Sequence, residues 1–388
     1  MIVKPRIRNN VCLSAHPLGC ALQVHEQIEY VRGKEPVDGP KSALVVGASN
    51  GYGLAARIVS AFGCGASTIG VAYEKPASDR RTGTAGWYND QAFEREARAE
   101  GLGAWSVNGD AFSRVVKEEV VSLVREHLHT VDLVIYSIAA PRRIDRESGR
   151  IYTSTLKPIG RPFTSKVLDM DSGEVREITS QPATEEEVEH TVKVMGGEDW
   201  RAWVDALERA GTLSPGFLTV AFSYIGPAVT GAIYREGTIG RAKEDLERTA
   251  WVMNERLKKR GGRAVISVNK ALVTRASAVI PAVSLYISIL YRVMKKKGLH
   301  EGCIHQMYRL FHDHLYGREF GSADQEGRIR LDDWEMREDV QREVQEIWSE
   351  IDSHSVSERT DIEGFREEFL RHHGFGMGGV DYERDVEI

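Results

Sequence analysis

From Lys41 onward strand and helix signals alternate, a glycine-spaced turn joins the first strand to its helix, and a carboxylate closes the second strand. These three observations predict an α/β fold. Its core is a Rossmann-type parallel sheet with helices on both faces; an N-terminal extension precedes it, an inserted hairpin interrupts it and a helical C-terminal region follows. The first strand is the apolar run Ala43 to Val46, which ends in Gly47, Gly51 and Gly53, spaced G-x-x-x-G-x-G, with a helix directly behind. A buried strand, a tight turn and helix N–H groups, in that order, make a cradle for a pyrophosphate. An ordinary βα turn uses glycines in the same way, so the next strand decides between them.

That strand is Ser67 to Tyr73, and Glu74 stands at its carboxyl end. An acidic residue about 20 positions past the glycines accepts both hydroxyls of an adenosine ribose and repels a 2′-phosphate. The cofactor this predicts is NADH rather than NADPH.

The remaining elements follow in order. Residues 1–41 form the extension: a strand-like MIVKPRI, a helix over Gly19 to Arg32, and a turn-rich GKEPVDGPK. After Glu74 the stretch KPASDRRTGTAGWYNDQAF is too polar and glycine-rich for a strand and reads as a long loop at the cofactor end of the sheet. A helix from Asp90 to Glu100 leads to a third strand, Ala104 to Val107, followed by Asp110 and Ala111, an acidic and a small residue suited to an adenine. A helix from Arg114 to His127 returns the chain to the fourth strand, VDLVIYSIAAP, whose small terminal residues Ala139 and Ala140 permit close approach of a cofactor or simply tight packing. The rhythm breaks between Arg150 and Ala183, where YTSTLKPIG and FTSKVLDMDSGEVREITSQP read as short strands around the turn Asp171, Ser172, Gly173, an excursion at the active-site edge. Helices resume at Thr184 to Met195, with Thr184 and Glu187 as a capping box, and at Glu198 to Ala210. Phe217 to Phe222 and Arg263 to Val268 are the fifth and sixth strands, and the tail from Gly302 is charged helix.

One elaborated domain is predicted for the 388 residues: extension 1–41, first nucleotide-binding half 42–150, hairpin 151–183, second half with the catalytic residues 184–300, tail 301–388. The formal net charge of −6 argues against nucleic acid as a partner. Four cysteines in no C-x-x-C pair, and an N-terminus without an apolar core, point to a cytoplasmic protein with free thiols. The uncharged run Ala276 to Tyr291 is shorter than a spanning helix and carries Pro281 and three serines. It reads as a buried helix walling an apolar pocket, with peripheral membrane contact as the alternative. No metal site is predicted: His312 and His314 diverge on a helix, and His372 and His373 sit in a basic tail.

The chemistry falls after the fifth strand, at Tyr224, Tyr234 and Lys243. A phenol can donate to an oxygen gaining negative charge, while an ammonium lowers the phenol's pKa and binds the nicotinamide ribose. Nine residues of unbroken helix turn about 900° and rise about 13.5 Å, which sets Tyr234 and Lys243 on opposite faces. Gly237 and Gly240 let the tyrosine sit on a turn ahead of the helix instead.

The Y-x8-K pair Tyr234 and Lys243, with GASNGYGLAAR, EKP, RTGTAGWYN, NGDAFS, YSIAAPRR, STLKPIG and VMGGEDW, resembles the large single-chain bacterial NADH-dependent trans-2-enoyl-CoA and enoyl-acyl-carrier-protein reductases. The likeness runs from MIVKPRIR to GFGMGGVDYERDV, essentially the whole chain. It implies reduction of the 2,3 double bond of an enoyl thioester, carried on CoA or acyl-carrier protein, in fatty acid synthesis. By the same resemblance NADH contacts Gly47, Ala48, Ser49, Asn50, Gly51, Tyr52, Tyr73, Glu74, Asp110, Ala111, Ile138, Ala139, Leu272, Val273 and Thr274. Tyr234 is the implied proton donor, Lys243 a cofactor ligand and Tyr224 a substrate contact, in a monomer whose apolar run faces the acyl chain. Asn50 departs from the threonine that the family pattern leads one to expect; both are small and polar. Two alternatives stay open: a short-chain-type NAD(P)-dependent ketone or alcohol oxidoreductase, and a non-catalytic NADH sensor. The first wants Y-x3-K, yet Ala228 and Thr238 stand four residues after the two tyrosines.

Overall fold

Residues 1–8, 11–145, 148–170, 172–278, 280–317 and 322–388 are described in the structure, a computed structural model. Asp171 of the predicted hairpin turn and Val279 of the apolar run lie outside them.

A hairpin of β1 (Ile7–Arg8) and β2 (Val11–Cys12) stands first, so only the end of MIVKPRI is strand. Helix α1 (Pro17–Arg32) follows, with Pro17 at its opening turn and His16 Nδ1 accepting from Gly19 N at 3.2 Å. The predicted sheet strands form as β3 (Ser42–Val46), β4 (Ser67–Ala72), β5 (Ala104–Asn108) and β6 (Val131–Tyr136). Two hairpins come next rather than one: β7 (Arg142–Ile144) with β8 (Ile151–Thr153), then β9 (Phe163–Leu168) with β10 (Val175–Ser180). Strand β11 (Leu213–Ser223) starts earlier than predicted and shifts register against β6 between Leu213 and Leu218; β12 (Arg263–Val268) falls where the alternation placed it.

The tail contributes a strand the sequence reading missed, β13 (Arg328–Arg330), which pairs in parallel with β12. Its three residues carry two arginines and no strand pattern. Arg328 is nonetheless buried, because Asp324 and Glu247 hold its guanidinium at 2.8 and 3.2 Å. The finished sheet has seven parallel strands in the order β13-β12-β11-β6-β3-β4-β5. Between β6 and β3 the strand order reverses, and in open α/β sheets ligands bind outside the carboxyl ends at that point.

Side chains alternate along β3, which splits the core into two layers. Ala43 and Val45 face α1, α2 (Gly51–Ile58) and much of the second half of the chain. Leu44 and Val46 face α4 (Arg114–Leu123), α6 (Glu198–Arg209) and α7 (Thr238–Leu257). Helix α3 (Ala85–Ala99) starts at Ala85, not Asp90. Two glycines disguise its first turns in the sequence, but Tyr88 and Asn89 are buried there and tertiary packing overrides propensity. Helix α5 (Glu185–Met195) has the predicted capping box from Thr184 and Glu187. The apolar run becomes α8 (Pro281–Lys296), followed by α9 (Cys303–Arg309), α10 (Glu338–Glu350), α11 (Val356–Arg359) and α12 (Ile362–Arg371). Among the described residues no helix is long and apolar enough to cross a membrane.

Candidate functional site

The glycine turn sits at the reversal of strand order. Gly47 has φ +91°, and a Cβ there would lie 2.2 Å from the Ser137 carbonyl oxygen at the end of β6. A Cβ on Gly53 would lie 1.9 Å from the Gly47 carbonyl, so α2 packs onto the turn with no room for a side chain. Ala48 is buried behind it. Asn50 occupies the cap position of α2, but its side chain makes no capping bond and turns to Ser49 and Glu74 instead. The first-turn N–H groups of α2 thus keep their donors for an anion.

Glu74 is the centre of the adjoining polar cluster. Its Oε1 accepts from Ser49 Oγ at 2.7 Å, Asn50 Nδ2 at 3.3 Å and the Arg275 guanidinium at 2.7 Å. Its Oε2 is buried with no hydrogen-bond partner. Buried carboxylate oxygens are normally satisfied, and a ribose hydroxyl is the missing type of donor. Asn89 at the start of α3 steadies the same loop, donating to the Ser49 carbonyl at 2.9 Å and to Asn50 Oδ1 at 3.1 Å. Tyr73 is 78% exposed beside it. Gly109 N bonds the Ala72 carbonyl at 2.7 Å, which brings Asp110 and Ala111 alongside Tyr73 and Glu74. Asp110 Oδ1 accepts from Phe112 N at 3.0 Å, and the Ala111 carbonyl accepts from Lys117, itself paired to Asp199 at 2.7 Å. Ile138 and Ala139 continue from Ser137, whose N–H bonds the Val46 carbonyl at 2.8 Å, and Ala139 is exposed.

The tyrosine and the lysine are arranged as the glycines allow. Tyr234 lies on a turn before α7, whose cap is Gly237, and Gly240 N bonds the Tyr234 carbonyl at 2.8 Å. The Tyr234 ring meets the Tyr224 ring edge to face, with centroids 5.2 Å apart and planes at 89°. Lys243 Nζ donates to the Phe222 carbonyl at 3.2 Å, two residues before Tyr224 on the end of β11. Burial lowers the Lys243 ammonium to about 8, against an opposing pull from Glu247. The effect on Tyr234 is the reverse of the sequence expectation: burial pushes its phenol up, and no lowering by Lys243 is resolved. Tyr224 is raised by burial and by Glu335.

The loop after β12 folds back over the glycine turn, with Thr274 Cγ2 3.6 Å from where a Gly51 Cβ would sit. Leu272 and Val273 are buried; the Leu272 carbonyl accepts from Ser277 Oγ at 2.6 Å, and the Val273 carbonyl lies 2.8 Å from His372 Nε2. Tyr52 points inward, its hydroxyl donating to the Lys270 carbonyl at 2.7 Å. Most of the apolar run is consumed by packing: Leu285, Tyr286, Ile287, Ile289, Leu290 and Tyr291 are fully buried in the core. Its beginning, at Ala278, lines a cavity of about 290 Å³ between Met170, Phe365, Phe369 and Leu370. The hairpin of β9 and β10 leans on α8, and the segment before it reaches the site, the Lys157 carbonyl accepting from Thr238 N at 3.0 Å.

Three residues of this region escaped the sequence reading. Arg275 directly follows the predicted Leu272 to Thr274, and nothing in the sequence tied its cation to Glu74. Asn89 lay within a quoted segment but carried no assigned role. Glu335, fully buried, accepts from Tyr286 at 2.7 Å, from Ala271 N at 2.7 Å and from Tyr224 at 3.4 Å. Nothing in its charged surroundings distinguished it from a solvated residue.

A glycine cradle, a buried carboxylate with one unpartnered oxygen beside it, and a tyrosine with a lysine at the carboxyl end of the sheet define the class of dinucleotide-dependent oxidoreductases. Family models match nearly end to end: the NAD(P)H binding domain of trans-2-enoyl-CoA reductase over residues 2–79, the trans-2-enoyl-CoA reductase catalytic region over 81–316, and an enoyl reductase FAD binding domain over 323–386. A trans-2-enoyl-CoA reductase [NADH] of Clostridium perfringens is 55% identical over 388 residues, covering 100% of this chain and 99% of its own. An enoyl-[acyl-carrier-protein] reductase [NADH] of Opitutus terrae is 54% identical, covering 100% and 98%. The crystal structure of Clostridium acetobutulicum trans-2-enoyl-CoA reductase in complex with NADH superposes with a TM-score of 0.97 at 46% identity, over 100% of this chain and 98% of that one. The chain belongs to the trans-2-enoyl-CoA reductase family.

The cradle and the unpartnered Glu74 oxygen fit NADH. The stretch matched to a flavin domain does not fit a flavin. Among its described residues β13 runs into turns instead of a glycine cradle and helix, and Val340, Val344, Ile347 and Phe365 face the core.

Proposed function

We propose that this chain reduces the 2,3 double bond of trans-2-enoyl thioesters, on CoA or acyl-carrier protein, with NADH as reductant, in fatty acid metabolism. The observation that carries the reading is the meeting of Tyr224 and Tyr234 at the carboxyl end of β11, with Lys243 anchored two residues away. NADH, when bound, supplies the hydride that reaches the β-carbon of the thioester. Gly47 to Tyr52 hold its pyrophosphate through backbone N–H groups. Glu74, with Tyr73, Asp110 and Ala111, takes the adenosine end. Ile138, Ala139, Lys243 and Leu272 to Thr274 take the nicotinamide end.

Tyr234 acts on the thioester oxygen. Burial keeps its phenol protonated at neutral pH, so it donates a hydrogen bond to the oxygen as enolate charge develops there. Tyr224 contacts the acyl group beside it, and a proton from water at the α-carbon, as the enolate collapses back to the thioester, completes the saturated product.

The test follows NADH oxidation with crotonyl-CoA and with the crotonyl carrier-protein thioester at matched concentrations. Oxidation with either supports the reading, and the ratio gives the carrier preference. NADH binding without oxidation by either thioester would leave a sensor.

A further inference from the structure

Glu74 is paired with a cation that the activity does not by itself require. Arg275 Nη1 lies 2.7 Å from Glu74 Oε1, with the carboxylate almost wholly buried and the arginine side chain 43% exposed. Ser49 and Asn50 donate to that same oxygen, whereas Oε2 is buried and unpartnered. The two oxygens are therefore unequal: one is saturated from the protein side, and the other is left for a ligand hydroxyl. In dinucleotide folds an acidic residue here selects the ribose 2′-hydroxyl, while an arginine nearby accommodates a 2′-phosphate. This chain carries both, locked together.

We propose that Arg275 is a specificity-determining residue: ion-paired to Glu74 it fixes the carboxylate for a ribose 2′-hydroxyl, and freed from that pair it accepts a 2′-phosphate. The inference rests on the NADH reading. Arginine suits both tasks, since its planar fork matches carboxylate and phosphate alike. Removing Glu74 frees a half-exposed guanidinium at the ribose site, and a phosphate is an anion its fork can grip.

Titration calorimetry with ADP and with 2′,5′-ADP tests this without catalysis. It compares the full-length protein with Glu74→Ala, Glu74→Gln, Arg275→Ala and Glu74→Ala/Arg275→Ala. The unaltered protein should prefer ADP. Glu74→Ala should gain affinity for 2′,5′-ADP by roughly tenfold to a hundredfold, the size of a charge-assisted hydrogen bond. Adding Arg275→Ala should erase that gain, and Arg275→Ala alone should show none. A gain that survives in the double variant, or no gain in Glu74→Ala, overturns the assignment. Glu74→Gln keeps the side-chain size, so it carries the same test if Glu74→Ala does not fold. An unaltered protein that binds neither nucleotide removes the dinucleotide reading itself, a result separate from the failure of Arg275.

Discussion

At the scale of single residues, the proposed mechanism rests on two groups, and each predicts a distinct signature. Tyr234→Phe removes one hydroxyl from a buried ring, so turnover should fall by roughly 10²- to 10⁴-fold, the usual contribution of a positioned proton donor. NADH binding, read by fluorescence titration, should be unchanged; near-normal turnover would remove Tyr234 from the mechanism. Lys243 should show itself through pH. Its ammonium is lowered to about 8 from 10.5, so the charged form proposed to bind a ribose hydroxyl is lost above about pH 8. KM for NADH should therefore rise above that pH, and Lys243→Met should raise it about tenfold at neutral pH and flatten the dependence. The sign for stability is the opposite. Between about 8 and 10.5 the unfolded chain holds a proton that the folded chain lacks, so this group favours folding increasingly as pH rises through that window.

Elements make those residues meet. A tyrosine nine positions before a lysine cannot share a helix face with it, and the structure resolves this by ending the turn at Gly237 and starting α7 at Thr238. Gly240 lets the turn fold onto the helix, since a Cβ there would lie 1.9 Å from the Arg235 carbonyl and 2.7 Å from that of Tyr234. Gly240→Ala should cost about 1–3 kcal/mol in stability, as overpacking does, and lower kcat more than it raises KM for NADH; chemical denaturation and steady-state kinetics measure the two. Element-level legibility follows from where the signal lies. β3, β4, β6 and β12 were readable because buried parallel strands are continuous apolar runs. The start of α3 and all of β13 were hidden because long-range contacts stabilise them: Asn89 grips the cradle loop, and Arg328 is caged by Asp324 and Glu247. The cradle, Glu74 and the Tyr234–Lys243 turn could be placed from spacing, whereas the Arg275 and Glu335 contacts close only in three dimensions.

For the whole molecule, the tail is part of the site's foundation. Glu335 joins Tyr224, Tyr286 and the backbone at Ala271, while Lys270 and Asp332 also face it. Burial raises its carboxyl to about 7 despite the opposing pull of Lys270. Between 4.5 and about 7 the folded chain thus holds a proton that the unfolded chain has shed. Its contribution to stability is full below 4.5 and is lost as pH rises to about 7, with a slope of at most about 1.4 kcal/mol per pH unit. Denaturation midpoints compared between the unaltered protein and Glu335→Gln should isolate this group: the advantage of the unaltered protein should shrink as pH rises from about 5 to about 7. Asp90, also raised to about 7 by burial, and His300 and His373, lowered to about 3 and about 4 by burial and pulling the other way up to about 6.5, act equally in both proteins and cancel in the difference.

The dependence of Tyr224 on Glu335 also sets an order in time. A ribosome releases the glycine turn long before residue 335, and at about 5–20 residues per second the interval lasts many seconds. During that interval β12 lacks its outer neighbour and the carboxylate that ties down Ala271 is still absent. Until the segment that carries β13 and Glu335 docks, Tyr224 and the Ala271 N–H lack their carboxylate partner and β12 lacks a neighbour on that side, so this edge of the sheet takes its shape late.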